Sequence, residues 1–371
     1  MNDLFNCHGR RYTARMIRRV VVAMSGGVDS SVAAALMHRQ GYEVIGITMT
    51  LSPNDSQAAP AGRGCCSVWD VNDAEKVAWK LGIRHYAFNL REEFQKHVID
   101  DFVAEYARGR TPNPCRRCNQ HIKFDHLLQR AQELGADKVV TGHYARIRHD
   151  EAAKTHRLLR GVDQSKDQSY VLASLSQAQL SHTMFPVGEL AKSEVRRLAH
   201  EYGLSSVADK PESQDLCFIP DGDTSGFLKK HLPADKPGEI VESDGTLLGE
   251  HQGLGTYTIG QRKGLGIATG KPRYVLELRV ASNQLVVGDP DELLRSQMEV
   301  EELNWIQDFP ERAWVKYRHQ TPGAEARLTR LGEDRLTVSF DTPQCALTPG
   351  QVSVFYHGDE VLGGGTIASI L

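Results

Sequence analysis

Six residues, Ser25-Gly26-Gly27-Val28-Asp29-Ser30, constrain this chain more than any other stretch because of what stands on either side. Val20-Val21-Val22-Ala23-Met24 before them is short, β-branched and uninterrupted, which suits a strand buried on both faces of a parallel sheet. After them Val32, Leu36 and Met37, with alanines between, predict a helix that packs on that sheet and ends near Gly41. Strand, tight glycine turn and helix together form a phosphate cradle. Gly26 and Gly27 admit positive φ and let backbone N–H groups approach an anion, while Ser25, Ser30 and Ser31 add hydroxyls at the positive end of the helix. The stretch has neither the lysine of a Walker A loop nor the spacing of the dinucleotide fingerprint.

The βα alternation continues. Tyr42 to Met49 reads as a second buried strand, reached by a right-handed crossover. Residues 52–64, rich in Pro, Ala, Gly and Ser, read as a mobile loop. Asp70 to Leu81 is helical, Arg84 to Leu90 a strand, and Glu92 to Tyr106 a helix stopped by Thr111-Pro112-Asn113-Pro114. A helix from Asn119 to Leu134 and a strand from Lys138 to His143 complete a doubly wound α/β unit. Ligands of such sheets bind beyond the carboxyl ends of the strands, where the loop at 25–30, Met49 and Gly142-His143 fall.

Past about residue 224 short β segments take over: Gly238 to Glu242, Tyr257 to Gly260, Tyr274 to Val280 and Gln284 to Gly288. From Glu299 onward, alternating strands at Ala313–Arg318, Ala324–Leu331, Arg335–Phe340 and Gln351–Tyr356 predict a small terminal barrel. The division expected is a loose tail at 1–15, an α/β domain at 16–223, a β-rich central domain at 224–295 and a β-barrel at 296–371. At 371 residues the chain has room for these, and no apolar run approaches the ~20 residues of a membrane span. Seven cysteines, an odd number, do not form a secreted disulfide framework and predict a reducing cytoplasm. The net charge of −3 confines any nucleic-acid site to a local basic patch, for which Arg312, Lys316, Arg318, Arg327 and Arg330 are candidates.

Cys115-Arg116-Arg117-Cys118 reads as a proline-initiated turn leading into a helix at Asn119, with two arginines to stabilise a thiolate. A nucleophile, a redox pair and inert thiols are all open readings. Zinc would need further ligands that only the scattered Cys65, Cys66 or Cys217 could supply. Cys217 alone reads as a core residue, and Cys7 and Cys345 as incidental.

Ser25 to Ser30 resembles the pyrophosphate loop of N-type ATP pyrophosphatases, which split ATP into AMP and pyrophosphate. Gly109 to Pro114, Cys118-Asn119, Thr141-Gly142-His143-Tyr144, Lys166 to Tyr170, Ser213 to Phe218 and Gly260-Gln261-Arg262 together resemble the tRNA-specific 2-thiouridylase family, in order from Arg19 to the carboxyl terminus. The resemblance implies adenylation of the 2-oxygen of the wobble uridine and its replacement by sulfur, with Cys217 carrying a persulfide, Cys118 as nucleophile, and a Cys118–Cys217 disulfide left to be reduced. It implies ATP at Ala23, Met24, Ser25, Gly26, Gly27, Val28, Asp29, Ser30, Met49 and Gly142, with magnesium at Asp29. The target base is expected at Asn113, Pro114 and Cys115, and tRNA at His143, Lys166, Asp167, Gln168, Tyr317, Arg318 and Gln351.

Many family members have aspartate where this chain has Cys115, so three thiols stand where an iron–sulfur cluster is an alternative. Implied partners are tRNAs of lysine, glutamate and glutamine type, and a cysteine desulfurase or relay protein as sulfur donor, with no membrane. The competing readings are another ATP pyrophosphatase, such as a 4-thiouridine synthase, and a non-catalytic tRNA-binding protein.

Overall fold

The computed structural model describes residues 18–51, 68–211, 216–219, 221–232 and 236–371. The expected tail at 1–15 with Cys7, the loop at 52–64, Cys65, Cys66 and residues 212–215 lie outside them.

The first sheet is built from β1 (Arg19–Ala23), β2 (Glu43–Thr50), β3 (Arg84–Asn89), β4 (Lys138–Val140) and β7 (Thr183–Met184), in the order β3-β2-β1-β4-β7. Every pairing is parallel. Alternation along β1 feeds two cores. Val20 and Val22 pack with Val32, Ala33 and Met37 of helix α1 (Val28–Arg39) and with Ala74 and Val77 of α2 (Val68–Leu81). Val21 and Ala23 pack on the other face with Phe94, Val98, Ile122 and Leu127. Helices thus cover both faces, and strand order reverses between β1 and β4, the place where a crevice opens beyond the strand ends.

The helix at 91–107 carries a wider π-helical stretch at Gln95–Ile99. The next helix begins at Pro114, five residues before the sequence places it, and runs through a π stretch at Cys118–His126 to Glu133. The physical reason is a cap: Asn113 Oδ1 accepts the Arg116 amide at 3.1 Å and Pro114 occupies the first helical position. Cys115 and Cys118 are therefore helical.

A hairpin of β5 (Ala145–Asp150) and β6 (Thr155–Arg160) leaves the first sheet and joins the last one. The central unit is a four-stranded sheet, order β10-β11-β8-β9, from β8 (Gly238–Glu242), β9 (Leu247–His251), β10 (Tyr274–Arg279) and β11 (Gln284–Gly288). Tyr257 to Gly260, expected as a strand, is not one. Gly260 turns at φ +83, and the segment borrows only the edge of β10 through Gly260 N to Val275 O and Val275 N to Gln261 O.

The terminal strands are β12 (Leu294–Trp305), β13 (Arg312–Lys316), β14 (Ala324–Arg330), β15 (Arg335–Cys345), β16 (Val352–His357) and β17 (Glu360–Ile370). They close into a six-stranded barrel because β12 pairs with both β15 and β17: Met298 lies opposite Val338 on one side and Ile370 on the other. Met298, Val300, Val315, Leu328, Val338, Phe355 and Ile367 fill it. Among the described residues no helix is long and apolar enough to cross a membrane.

Candidate active site

The glycine loop is shaped by what presses on it. Gly26 has φ +70, and a Cβ there would lie 2.5 Å from the Asp70 carbonyl oxygen at the start of α2. Gly142, just beyond β4, lies so close that a Cβ would meet the Ser30 amide nitrogen at 2.6 Å. Ser30 Oγ accepts the Ser25 amide at 3.1 Å, and Ser31 Oγ donates to the Gly27 carbonyl at 2.8 Å. These hydroxyls lock the turn, so that the first amides of α1 face outward from the strand end, an arrangement suited to an anion.

Two lysines distant in sequence converge on this loop. Lys192, 9 % exposed, donates to Asp29 Oδ1 at 2.7 Å and Oδ2 at 2.8 Å, while Tyr144 Oη donates to Oδ1 at 2.7 Å. The backbone of Lys192 is fixed by its amide bond to Asp163 Oδ2 at 2.9 Å. Lys210 donates to the Gly26 carbonyl at 3.2 Å, to Asp70 at 2.8 Å and to Asp73 at 3.0 Å. Burial works against the charge of Lys210, but the bonds to Asp70 and Asp73 outweigh it and raise its pKa. Asp29, expected as a magnesium contact, accepts from Lys192 and Tyr144 here, and each carboxylate oxygen keeps a lone pair that a metal ion could use.

On the opposite face of the sheet, Cys118 is buried in the apolar cluster that also contains Ala23, Met49 and Ile122. Cys217 packs against the same cluster, together with its neighbour Phe218. Phe218 stacks edge-on against Phe94, Phe102 and Phe227 at 5.9, 5.2 and 5.4 Å, which holds the 216–219 segment against the helix at 91–107, itself packed on the helix of Cys118. Cys115 is exposed on that helix. Asn119, 1 % exposed and next to Cys118, spends Nδ2 on the Val171 carbonyl at 3.1 Å; its Oδ1 meets no hydrogen-bond donor among the described residues, an acceptor that a base edge fits. Among the described residues no three His, Cys, Asp or Glu side chains are gathered to hold a metal ion, so Cys115, Cys118 and Cys217 do not form a cluster-binding set as placed.

The arginines between the cysteines do not sit beside the thiols as bare charges. Arg116, 5 % exposed, and Arg117 both bond to Glu302 of the barrel. A guanidinium buried to this degree would cost several kcal/mol without a partner, roughly the range for buried ions. Burial drives the Glu302 carboxyl up, but the hydrogen bond and charge of Arg117, then Thr366 and Arg116, bring it to about 2.

The residues expected at tRNA are dispersed in role. His143 is 8 % exposed, with Nδ1 at 2.5 Å from Thr141 Oγ1; burial, then the nearby Lys123, pushes it well below the usual imidazole range, so it stands neutral. Asp167 accepts the amides of Gly161 and Ser169, both at 3.1 Å, and Gln168 Oε1 accepts the Tyr144 amide at 3.0 Å. Asp167 and Gln168 thereby brace the segment that aims Tyr144 at Asp29, while Lys166 is half-buried. Tyr317 is buried and donates to Gln344 at 3.2 Å, with Arg318 half-buried after it. Gln351 reaches back to the segment before Asn113, donating to the Thr111 carbonyl at 2.9 Å.

Family models match along almost the whole chain: residues 18–221 match the tRNA methyl transferase HUP domain, 225–289 the tRNA methyl transferase PRC-barrel domain and 295–367 the aminomethyltransferase beta-barrel domain. The chain is 50% identical over 356 residues to the tRNA-specific 2-thiouridylase MnmA of Carboxydothermus hydrogenoformans, covering 94% of this chain and 97% of that one. The chain belongs to the tRNA-specific 2-thiouridylase family. A second relative of that name, from Symbiobacterium thermophilum, is 51% identical over 359 residues, covering 94% and 92%. Among solved structures, a 4-thiouridine synthetase–RNA complex with bound ATP aligns at 20% identity over 58% of this chain and 50% of that one, with a TM-score of 0.33.

Within this 2-thiouridylase-family site, reading the sequence missed Lys192, Lys210, Asp163 and Glu302. None of them sits in a local pattern; each is defined by a partner far away along the chain. Asn119 and Tyr144 stand in the motifs that carry the family resemblance, Cys118-Asn119 and Thr141 to Tyr144, which name no role for either.

Proposed function

We propose that this protein is an ATP-dependent tRNA-uridine 2-sulfurtransferase acting on the wobble uridine. One observation carries the reading: Cys118 and Cys217, nearly a hundred positions apart, pack on one apolar cluster beneath the carboxyl edge that holds the glycine loop. An anion cradle alone fits any ATP-splitting enzyme, and a thiol pair alone fits redox chemistry; the two at one sheet edge support activation followed by sulfur transfer.

A uridine carbonyl oxygen is a poor leaving group. Attack of the 2-oxygen on the α-phosphorus of ATP breaks the bond to the β-phosphate bridge and releases pyrophosphate, leaving the oxygen as part of AMP. The amides at 26–30 and the cations Lys192 and Lys210 suit the negative charge that moves onto the departing phosphates. Magnesium, when bound with ATP, would supply further charge neutralisation there, with Asp29 the residue placed to hold it.

The terminal sulfur of a Cys217 persulfide then attacks C2 and AMP leaves. Cys118 thiolate attacks the Cys217 sulfur of the resulting C2–S–S–Cys217 link, which frees the thiocarbonyl and closes a Cys118–Cys217 disulfide. A thiol reductant reopens it for the next turnover. The base leaves its stack to reach this site, entering by Asn113, Pro114 and Cys115, with His143, Lys166, Tyr317, Arg318 and Gln351 on the tRNA side. The sulfur reaches Cys217 from a persulfide donor such as a cysteine desulfurase or relay protein, and the tRNAs are those of lysine, glutamate and glutamine type. The α/β part, 16–223, would carry the chemistry, and 224–295 with 296–371 would seat the tRNA.

The reading is tested by supplying the iron-free protein with tRNA, ATP, magnesium and a persulfide donor, and digesting the tRNA for nucleoside mass analysis. Wild type yields 2-thiouridine with equimolar AMP and pyrophosphate. Cys217→Ser and Cys118→Ser yield none while still binding ATP and tRNA; normal thiolation by Cys217→Ser overturns the persulfide assignment.

A further inference from the structure

The barrel grips the helix of Cys118 through Glu302 and Thr366. Glu302 Oε2 accepts from Arg116 Nη1 at 3.1 Å and Oε1 from Arg117 Nη2 at 2.9 Å, and the Glu302 carbonyl accepts from Arg116 Nη2 at 3.3 Å. Thr366 bridges the pair, its hydroxyl accepting from Arg116 at 2.7 Å and donating to Glu302 at 2.8 Å. Asp101, on the helix at 91–107, accepts from the far side of Arg117 at 3.3 Å.

The strand is deformed to make this possible. Successive side chains of a regular strand point to opposite faces. Yet Glu301 and Glu302 both reach the 110–117 segment, Glu301 bonding to Arg110 at 2.9 Å. The pairing of β12 with β17 breaks register between Glu301 and Asn304, and Glu302 lies at φ +52. A bulge with a non-glycine residue in the left-handed region is unfavourable by itself and persists where its surroundings hold it. What holds it is the pair of arginines between the two cysteines, together with Asp334, which accepts the Leu303 amide at 2.7 Å.

We propose that Glu302 is a positioning residue for the sulfur-transfer step. Directional bonds to two consecutive arginines fix both the height and the rotation of the helix against the barrel, which apolar packing alone would leave free to slide. A tRNA seated on the barrel and the Cys118 thiol then share one frame, as an attacking atom that must come within about 3–3.5 Å of its target requires. The inference rests on the thiolation reading above.

The test compares wild type, Glu302→Gln and Glu302→Ala in single-turnover thiolation, at a temperature where circular dichroism shows each folded. KM for ATP is taken from AMP release, and amide hydrogen exchange is followed across 114–126. In Glu302→Ala the thiolation rate falls on the order of 10- to 100-fold, as misplacement of a reacting group by about an ångström does. KM for ATP stays unchanged, and tRNA no longer slows exchange across 114–126. Glu302→Gln, which keeps an acceptor for one guanidinium, recovers part of the rate. A folded Glu302→Ala with the wild-type rate overturns the inference. Should that variant not fold, Arg117→Met, which leaves the buried Arg116 pair intact, carries the test with the same expectation and the same overturning result. A wild type that makes no 2-thiouridine overturns the thiolation reading and this inference together, whereas an active wild type beside an equally active Glu302→Ala overturns the inference alone.

Discussion

Lys192 holds Asp29 by both carboxylate oxygens, at 2.7 and 2.8 Å, across 163 positions of sequence. The acidic residue of the glycine loop therefore carries its own cation, brought by the helix that starts at Lys192. Replacing Lys192 by Met is expected to lower AMP and pyrophosphate formation by about 100-fold or more, the scale for loss of one preorganised charge at a transition state. Tyr144→Phe, which removes only one donor to Asp29, lowers it less. Pyrophosphate release in the presence of tRNA measures both, and an unimpaired Lys192→Met assigns the lysine to structure alone.

Glycine at position 26 answers to both torsion and space. Gly26→Ala adds a Cβ at φ +70 and 2.5 Å from the Asp70 carbonyl. It is expected to destabilise the fold by more than about 1 kcal/mol and to weaken ATP binding. A urea titration and an ATP-binding isotherm on the same preparation separate the two effects.

Cys115 is exposed and takes no part in a metal-holding group among the described residues. Cys115→Asp is expected to keep thiolating activity in iron-free protein. Loss of activity together with loss of bound iron in Cys115→Asp would instead support a cluster.

Acid is expected to weaken the hold of the barrel on the cysteine helix. Glu302 titrates at about 2 in the folded chain against 4.5 when unperturbed. The stabilisation from its charge is complete above pH 4.5 and is lost as pH falls through 2. Wild type and Glu302→Gln should differ in urea midpoint by a constant amount near neutral pH, and the gap should narrow once the pH drops below 4.5. A gap that stays constant into acid would show that the charge of Glu302 contributes nothing. The carboxylate remains partly exposed, so solvent screening reduces its contribution.

Local features were legible in the sequence and distant pairings were not. The glycine loop, the parallel strands around it and the terminal barrel are written in short windows: a β-branched run, a Gly-Gly turn, period-2 alternation. Asn113-Pro114 was visible too, but as the stop of one helix rather than the cap and first residue of the next, since both signals use the same residues. Lys192 stands in an ordinary Ala191-Lys192-Ser193, and Glu302 in Met298-Glu299-Val300-Glu301-Glu302-Leu303. What makes each matter is a partner elsewhere: the apolar–polar alternation breaks at Glu302, but a break of period does not name the arginines that the displaced carboxylate meets.

The hairpin of β5 and β6 has a consequence for how the chain is made. Leu159 of β6 pairs with Glu360 and Leu158 with Val361, so a sheet begun in the first half of the chain is completed by β17. During synthesis that strand edge is out in solution until β17 has been made, a long-range closure that is slow and exposes an unpaired edge to neighbours. A message cut short before β17 would leave a glycine loop and both cysteines in place, yet yield a product prone to associate through β6. β17 thus does two jobs at once, closing the barrel through β12 and covering the edge of β6.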